Sequence, residues 1–579
     1  MNFLKIMKCQ QVLFFLLAVI CNVLNVNAQH KSSRWGDLGN GTYRNMILPA
    51  DYSDPDAIRI GKDYYMVSST MQFSGGIVIL HSRDMVNWET LGYVINDLPV
   101  QLKDKRFDYT VMDHYGKGIY APSLRYHDKK FWVYFTTYNG GGFYVATAKK
   151  MTGPWKVQLM KDKNGVELFG LNWDDNCPFW DEDGKAYMIA SNPQKNWFPI
   201  LFQMLPDGTR LLDGDINKMK IKTLDQTGRG TNILPEATWG EGNKIFKKDG
   251  YYYLYHNECF GKDYDRRAVM IRSKNIYGTK ADGTPGKPGD PGLYDISPQG
   301  TQTYLMVHPD STGGRLDQGA ILDTPDGKNW YFLTHQGGGY ENGRPTALLP
   351  VTWVDGWPMA GKDNDKDKIG EPVWEAAKPI RGEKKTFPQG SDEFTGKKLH
   401  PQWMWNYQPR ADKWSLTERR GFLRLHAFKP LVEGTFFKAG NTICQRYVKS
   451  DQVQIEVKMD ISGMTPGQEA GLSHFNGGKD YCTLGVKMTE RGKIIKFNDN
   501  GKTIEGEAIH SSEIWIRSVI GKDCINSYYF STDGITFLPF GGKYTLKWAG
   551  FRGDHIGIYN YNDLNENGLV DVDWFRYQF

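Results

Sequence analysis

Between residue 45 and about residue 380, short runs of alternating apolar and polar residues are separated by Gly, Pro, Asn and Asp. In one of them, the run at residues 241–248 is followed by Asp249-Gly250 and an aromatic run at residues 251–255. A period of two residues favours a β-strand, and Asp-Gly between two such runs is typical of a hairpin turn. Sustained helical periodicity is almost absent, so this region is predicted to be all-β.

The predicted hairpin recurs along the chain. Five copies, 55 to 77 residues apart, have turns at Lys62, Asp128, Asp183, Asp249 and Asp326. Radial repetition of one antiparallel unit is typical of a β-propeller. We therefore predict a five-bladed β-propeller over residues 29–380, with loops inserted between strands because the spacing exceeds the usual size of a blade.

One position in each hairpin is a candidate for the central channel. Eight residues before the turns stand Asp54, Tyr120, Asp175, Glu241 and Gln318. Equal offsets on alternating strands place side chains on equivalent faces. If these strands are the innermost ones, three carboxyl groups, a phenol and an amide converge on one axis. Two carboxyl groups across a cleft can split a glycosidic bond, so this set is a candidate reactive site.

The C-terminal part of the chain reads as a second β domain. Residues 381–391 have the composition of a linker, and residues 392–579 contain closely spaced short strand-like runs. This spacing predicts a β-sandwich. Residues 563–568 begin like a calcium-binding loop, but Trp574 stands where the closing Glu is needed, so a plain turn is the favoured interpretation.

The N-terminus has the pattern of a secretory signal peptide. Lys5 and Lys8 precede an apolar run at residues 12–19, and residues 26–28 resemble a cleavage site. We therefore predict that residues 1–28 are removed and that the mature chain is exported to the periplasm or the extracellular space. No later stretch has the length of a membrane span, so none is predicted.

Composition excludes several other classes of protein. The 71 basic and 66 acidic residues are too evenly balanced for a nucleic-acid-binding protein. Five Cys remain after the signal peptide, and this odd, scattered set predicts neither a disulfide framework nor a zinc site.

Several motifs, in the expected order, resemble glycoside hydrolase family 43. They are residues 52–65 (YSDPDAIRIGKDYY), 81–88 (HSRDMVNW), 119–124 (IYAPSL), 241–244 (EGNK) and 353–358 (WVDGWP). The resemblance covers residues 45 to 360. It extends to the C-terminal region, which is similar to the accessory domain of the two-domain β-xylosidase and α-L-arabinofuranosidase branch.

The resemblance implies a propeller enzyme that hydrolyses with inversion, and it implies roles for the carboxyl groups. Asp54 would be the general base, Glu241 the general acid, and Asp175 the group that tunes and orients this acid. Glu236 is a weaker candidate for the acid, because Glu241 holds both the repeat offset and the Glu-Gly context. The aromatic residues Trp173, Phe179 and Trp239 are expected to exclude water and to raise the pKa of an acid.

The resemblance also implies substrate-binding residues. Arg344 would bind sugar hydroxyls near the base, and Tyr120 and Met71 would line the sugar subsite or serve as packing. Gln318 stands where many relatives have a His that helps to hold a metal ion or water. Because an amide is a poorer metal ligand, we expect no required cofactor, with a structural calcium as the alternative.

The expected activity is exo-acting release of terminal α-L-arabinofuranose from a plant cell-wall polysaccharide or oligosaccharide, such as side chains of xylan, xyloglucan or arabinan. A β-D-xylosidase or a bifunctional enzyme is the main alternative, because the two pentoses present similar hydroxyl groups. An endo-acting arabinanase and a propeller that only binds carbohydrate are further alternatives.

Overall fold

The computed structural model describes residues 35–111, 117–138, 141–192, 198–220, 228–234, 240–260, 265–296, 316–366, 368–432, 436–478 and 480–579. The predicted signal peptide, Glu236 and Trp239 lie outside these residues. Within them, the chain is almost entirely β-structure, as the alternating pattern predicts. None of the helices in the described ranges is long and apolar enough to span a membrane.

Five antiparallel sheets form the blades of a propeller, which confirms the predicted fold of this region. Blade 1 contains β2 (Asp56–Ile60), β3 (Asp63–Ser68), β4 (Gly76–Ser82) and β5 (Trp88–Ile95). Blade 2 contains β6 (Ile119–His127), β7 (Lys130–Thr137), β8 (Gly141–Ala148), β9 (Lys156–Leu159) and β10 (Phe169–Leu171). Blade 3 contains β11 (Asp174–Trp180), β12 (Ala186–Asn192), β13 (Phe198–Met204) and β14 (Thr231–Asn232).

Blade 4 contains β15 (Glu241–Lys248), β16 (Tyr251–Phe260), β17 (Asp265–Ser273) and β18 (Asp295–Ile296), and blade 5 contains β19 (Leu316–Asp323), β20 (Trp330–Gln336), β21 (Thr346–Val354) and β22 (Trp357–Ala360). Outside the blades, β1 (Thr42–Arg44) pairs with β23 (Glu375–Ala377). The predicted hairpins are β2–β3, β6–β7, β11–β12, β15–β16 and β19–β20. The first strands of neighbouring blades pack against one another, so they are the innermost strands.

Short helical turns join some of these strands. In the part of the chain that the structure describes, the helices are α1 (Leu98–Leu102) and α2 (Ile216–Met219), and 3₁₀ turns lie at Lys105–Phe107, Ala411–Lys413 and Phe436–Lys438. Asp97 caps α1 by accepting the N–H of Val100, because an Asp side chain satisfies a free N–H group at the first turn.

Ion pairs between blades help to close the ring. Arg59 in blade 1 donates two hydrogen bonds of 2.7 Å to the carboxylate of Asp323 in blade 5. Arg125 in blade 2 lies 2.8 Å from a carboxylate oxygen of Asp56 in blade 1. The fifth blade is therefore linked to the first by a bidentate pair, a geometry that adds directional strength to an ion pair.

The C-terminal domain is a β-sandwich, as predicted. One sheet contains β24 (Met404–Trp405), β27 (Ile443–Arg446), β29 (Gln468–Phe475), β30 (Tyr481–Thr489), β31 (Gly492–Asp499), β32 (Lys502–Ile509) and β37 (His555–Asn562). The other contains β25 (Trp414–Ser415), β26 (Leu423–His426), β28 (Gln452–Asp460), β33 (Glu513–Gly521), β34 (Ile525–Ser531), β35 (Leu538–Pro539), β36 (Tyr544–Thr545) and β38 (Leu569–Gln578). Buried and partly exposed residues alternate along β28 and β33, as in a sheet with one face on the core.

The segment between the domains is packed between them. Gln389 accepts a hydrogen bond of 2.9 Å from the Tyr52 hydroxyl of the propeller and donates one of 2.6 Å to the Arg446 carbonyl of the sandwich. Buried residues of both domains also share one hydrophobic cluster. The sandwich is therefore held against the propeller, in a position where its loops can reach the channel.

Candidate active site

A pocket of about 210 Å³ opens at one end of the propeller channel. It contains all of the predicted site residues except Met71, and the described lining residues are Asp54, Tyr120, Ala121, Tyr138, Asp174, Asp175, Glu241, Gln318, Arg344 and Phe551. Each blade contributes at least one of these side chains. The repeat offset in the sequence therefore identifies one real cavity.

A recurring backbone feature aims these side chains at the channel. Near its start, the first strand of each blade has a residue with positive φ, and these residues are Asp54 (52°), Ala121 (41°), Asp175 (53°), Gly242 (70°) and Gln318 (49°). In blades 2 to 5 the strand pairing also shifts register at this point. Such a β-bulge bends the strand and redirects a side chain, and non-glycine residues with positive φ cluster at functional sites.

In two of the five blades, the residue that matches Asp54 lies one position after the residue predicted from the repeat. Ala121 and Gly242, not Tyr120 and Glu241, occupy the position equivalent to Asp54. The offset was counted from hairpin turns that differ in length, since two residues connect β6 to β7 but five connect β11 to β12. Tyr120 and Glu241 reach the pocket from the position before the bulge, which Asp174 holds in blade 3. Sequence reasoning missed Asp174 for this reason.

Asp54 is buried and accepts two hydrogen bonds through its carboxylate. Arg344 Nη1 donates to Oδ1 at 3.0 Å, and the Ser69 hydroxyl donates to Oδ2 at 2.6 Å. Burial raises the pKa of Asp54, but the Arg344 cation, the Ser69 hydroxyl and the more distant Arg552 outweigh burial and hold this pKa below its usual range. Asp54 is therefore an anion that can accept a proton.

Two further residues orient Asp54, and sequence reasoning missed both. The Asp54 N–H donates to Nδ1 of His335 at 2.8 Å, so the 3.8 Å approach of this nitrogen to the Asp54 carboxylate is not a hydrogen bond. Ser69 accepts the N–H of Ala121 at 2.8 Å, which leaves its hydroxyl hydrogen for Asp54. Neither residue lies at the repeated offset, so the pattern of repeats does not identify them.

Across the channel from Asp54, a second group of carboxyl groups comes from blades 3 and 4. Asp175 accepts a hydrogen bond of 3.2 Å from Nε2 of Gln318, and Asp174 accepts one of 2.7 Å from the Thr136 hydroxyl. Burial, followed by the charges of Asp174 and Glu241, raises the pKa of Asp175 well above its usual range. Burial also raises the pKa of Asp174. This group therefore retains a proton under conditions where Asp54 has lost its own.

Aromatic residues form the wall of the pocket, and one of them comes from the sandwich. The ring of Tyr120 lies 5.2 Å from that of Tyr138 and 6.1 Å from that of Phe551. Tyr138 is 43% exposed and Phe551 is 44% exposed, so both rings are accessible at the mouth. The Arg344 guanidinium lies 5.5 Å from Phe551 and 5.7 Å from Trp548, within the range of a cation–π contact.

A buried polar cluster in the sandwich anchors the loop that carries Phe551. His474 bonds to Asp554 at 2.6 Å through Nδ1 and to the Ser518 hydroxyl at 2.8 Å through Nε2. This is the residue set of a hydrolase triad, but all three residues are fully buried and Ser518 donates its hydrogen to Asn526. The cluster therefore serves to hold the loop and not to attack a substrate.

Other predicted residues lie elsewhere. Met71 is fully buried and bonds through its backbone to Ile119, and it is absent from the described lining of the pocket, so its role in substrate binding stays a prediction. Trp173 belongs to a hydrophobic cluster shared by blades 2 and 3, and Phe179 packs against Tyr252. Neither is among the described lining residues.

The Gln318 side chain bonds to a carboxyl group of the pocket. The Gln318 amide is used as a hydrogen-bond donor to Asp175, and the described residues contain no group of three His, Cys, Asp or Glu side chains arranged to hold a metal ion. A structural calcium ion stays the alternative that the sequence leaves open.

The family of the chain follows from its sequence profile. Residues 43–358 match the profile described as glycosyl hydrolases family 43, and residues 391–578 match that of the beta xylosidase C-terminal concanavalin A-like domain. The chain therefore belongs to glycosyl hydrolase family 43.

Individual relatives agree with this assignment. The chain is 34% identical to the beta-xylosidase of Formosa agariphila over 596 residues, which cover 95% of this chain and 93% of that protein. A solved family 43 protein from Bacillus licheniformis is 26% identical to this chain, with a TM-score of 0.74. The match covers 93% of this chain and 99% of that protein. A solved bifunctional GH43-CE protein from Bacteroides eggerthii is 28% identical with a TM-score of 0.73, where the match spans 92% of this chain and only 63% of the longer one.

The names of the curated relatives do not agree on one sugar. They include beta-xylosidase, xylosidase/arabinosidase and non-reducing end alpha-L-arabinofuranosidase. Membership of the family therefore identifies a glycosidase without selecting between the two pentoses.

Proposed function

We propose that this glycoside hydrolase is an exo-acting, inverting enzyme that releases a terminal pentose from plant cell-wall polysaccharides or oligosaccharides. The observation that carries the proposal is that one pocket contains an ionised carboxylate on one side and carboxyl groups with raised pKa values on the other. Asp54 is held ionised by Arg344, and the group of Asp174, Asp175 and Glu241 faces it from blades 3 and 4.

In the proposed reaction, Glu241 donates a proton to the glycosidic oxygen as the bond to the anomeric carbon breaks. A water molecule attacks the anomeric carbon from the opposite face and gives its proton to Asp54. The products are the free sugar, with inverted anomeric configuration, and the shortened substrate. Asp175 assists by sharing a proton with its neighbours, so that Glu241 meets the substrate in its acid form.

The wall formed by the sandwich supports exo action. Phe551 and Trp548 both contact Arg344, the residue proposed to bind sugar hydroxyls beside the base. A wall on this side of the pocket opposes the passage of a continuous polymer, which an endo-acting arabinanase requires. The presence of Asp54, Asp175 and Glu241 in one pocket also argues against a propeller that only binds carbohydrate.

We propose α-L-arabinofuranose as the first candidate for the released sugar, on the likeness of residues 120–123 and Gln318 to that branch of the family. β-D-Xylose is the second candidate, and it is favoured by the relative from Formosa agariphila, whose name is beta-xylosidase. Xylan, xyloglucan and arabinan side chains contain one or both of these sugars in terminal positions.

The test is to incubate the purified chain with 4-nitrophenyl α-L-arabinofuranoside and 4-nitrophenyl β-D-xyloside in parallel. We expect turnover of at least one pentoside, with the larger kcat/KM on the arabinofuranoside. A larger kcat/KM on the xyloside would select the second candidate. Asp54→Asn serves as the control for contaminating activity, and absence of turnover of both pentosides by the wild type would overturn the proposal.

The proposed location follows from residues 1–28, which we propose are cleaved on export to the periplasm or beyond. N-terminal sequencing of the protein from a cell fractionation would show a mature chain that begins near residue 29. An uncleaved chain in the cytoplasmic fraction would contradict this proposal.

A further inference from the structure

Below the carboxyl groups of the pocket, the propeller channel contains a buried lysine. Lys244 is only 5% exposed and lies on β15, the strand that begins with Glu241. It lines a second cavity of about 290 Å³ on the channel, and it is not part of the described lining of the catalytic pocket. Lys244 therefore occupies the channel on the far side of the proposed acid from the substrate.

Within the part of the chain that the structure describes, the positive charge of the Lys244 ammonium group is not balanced by a carboxylate in direct contact. Its hydrogen-bond partner is the Ser123 hydroxyl at 3.2 Å, and no carboxylate of the described residues lies within 4.0 Å of it. Burial of an ammonium ion without a paired anion is costly. Some more distant negative charge must therefore offset the charge of Lys244.

The other charged side chains among the described lining residues of the second cavity cannot supply this negative charge, because they are paired with one another. Arg125 lies 2.8 Å from Asp56, and Arg59 lies 2.7 Å from Asp323. These pairs are neutral overall. Among the charged side chains that the structure describes in this cavity, Lys244 is left as the net positive charge.

On the pocket side, the Lys244 charge acts on Asp174 and Asp175, and Glu241 begins the strand that carries Lys244. Asp54 also faces this group, but Arg344 already compensates it. Burial is the main influence that raises the pKa values of Asp174 and Asp175, and the Lys244 cation acts on both in the opposite direction. The buried cation and the carboxyl groups thus interact through space, with no direct ion pair.

We infer that Lys244 is a positioning residue that acts through Asp174, Asp175 and Glu241, because its single charge determines how many protons these three carboxyl groups hold together. The inference rests on the proposed function, and it adds a residue from outside the catalytic pocket to the control of the acid. With the charge of Lys244 present, one carboxyl group can ionise while another keeps the proton for the leaving group.

The direction of the expected effect follows from the charges. If the positive charge is removed, each loss of a proton from the three carboxyl groups leaves more uncompensated negative charge in a buried site. Their shared, macroscopic pKa values therefore rise. In a pH profile of kcat/KM, the limb that reports loss of the acid proton should move to higher pH, by about one unit for a charge at this depth.

The experiment compares pH profiles of kcat/KM for the wild type and three variants on an aryl pentoside. Lys244→Met removes the charge and should move the alkaline limb upward, and Lys244→Arg keeps the charge and should leave it in place. Lys247→Met is the matched control, because Lys247 lies on the same strand but pairs with Asp181 at 2.8 Å near the surface. Its limb should stay at the wild-type position.

A charge rescue separates this role from a purely structural one. The double variant Lys244→Met with Asp174→Asn loses one cation and one acid, so its limb should return toward the wild-type pH. A folded Lys244→Met protein with an unmoved limb, or a double variant that shifts the limb further upward, would overturn the inference. If Lys244→Met does not fold, Lys244→Gln takes its place in both variants.

A measurement without turnover distinguishes failure of this inference from failure of the proposed function. Potentiometric titration of folded wild type and Lys244→Met between pH 4 and pH 9 counts bound protons directly. We expect the variant to hold additional protons over part of this range even if the substrate has been wrongly identified. Coincident titration curves, after allowance for the missing ammonium group, would overturn the inference alone.

Discussion

The Arg344 guanidinium donates a hydrogen bond of 3.0 Å to Oδ1 of Asp54, with both residues buried. The same guanidinium contacts the rings of Trp548 and Phe551, which belong to the sandwich. One side chain of the propeller therefore connects the proposed base to the second domain. This contact explains how a domain outside the propeller can influence the ionisation of Asp54.

The first prediction concerns the acidic limb of the pH profile. The Arg344 cation lowers the pKa of Asp54, so its removal lets Asp54 bind a proton at higher pH. Arg344→Met should therefore move the acidic limb of kcat/KM upward by about one pH unit or more, apart from any loss of sugar binding. Arg344→Lys keeps a charge and should move the limb less. An acidic limb that stays in place in a folded Arg344→Met enzyme would contradict the assignment of Asp54 as the base.

The second prediction concerns the proposed acid. Glu241→Gln cannot donate a proton, so it should lower kcat on natural oligosaccharides by about two to four orders of magnitude. The loss should be much smaller on an activated aryl pentoside, because that leaving group departs without a proton. The measurement is the ratio of kcat on the two substrates in wild type and variant. An equal loss on both would show that Glu241 is not the acid.

The repeats explain which parts of the site could be predicted from the sequence. Asp54, Asp175 and Gln318 can be found at one offset because the first strand of each blade has a residue with positive φ near its start. The five-bladed propeller follows from the same regularity. Glu241 also lines this pocket, although it lies one residue before the bulge.

The rest of the site depends on contacts that no period in the sequence reports. Phe551 comes from the second domain, and its position depends on how two domains pack. Ser69 acts through one hydroxyl group between two blades. Met71 was expected near the sugar from the family resemblance, but its side chain is fully buried beside β6.

The third prediction tests the bulge. Gly242 has a φ of 70°, and a Cβ atom there would lie 2.9 Å from Nδ2 of Asn257. Gly242→Ala should therefore cost about 1–2 kcal/mol of stability and lower kcat, because the Gly242 N–H also bonds to Asp175. Ala121→Gly, at the equivalent position with a φ of 41°, is the matched control and should relieve strain. The measurements are the thermal unfolding temperature and kcat of both variants. A Gly242→Ala enzyme as stable and active as the wild type would show that the bulge does not require glycine at this position.

The fourth prediction concerns the wall from the sandwich. Phe551→Ala removes a half-exposed ring from the pocket, so KM should rise by roughly tenfold, in line with loss of about 1.4 kcal/mol of binding. Leu538→Ala is the control, since Leu538 is similarly exposed (54%) on β35 and is not among the described lining residues. Equal KM values for both variants and the wild type would show that the sandwich does not contribute to substrate binding.

In the proposed mechanism, Asp54 activates the water molecule that attacks the anomeric carbon, while Glu241 protonates the leaving oxygen. A single displacement of this kind inverts the anomeric configuration. Proton NMR of the reaction mixture within the first minutes identifies the anomer released before mutarotation. The account predicts the β-anomer from an α-L-arabinofuranoside, or the α-anomer from a β-D-xyloside. Release of the anomer with retained configuration would contradict it, because retention requires a covalent intermediate on a carboxylate and a closer pair of carboxyl groups.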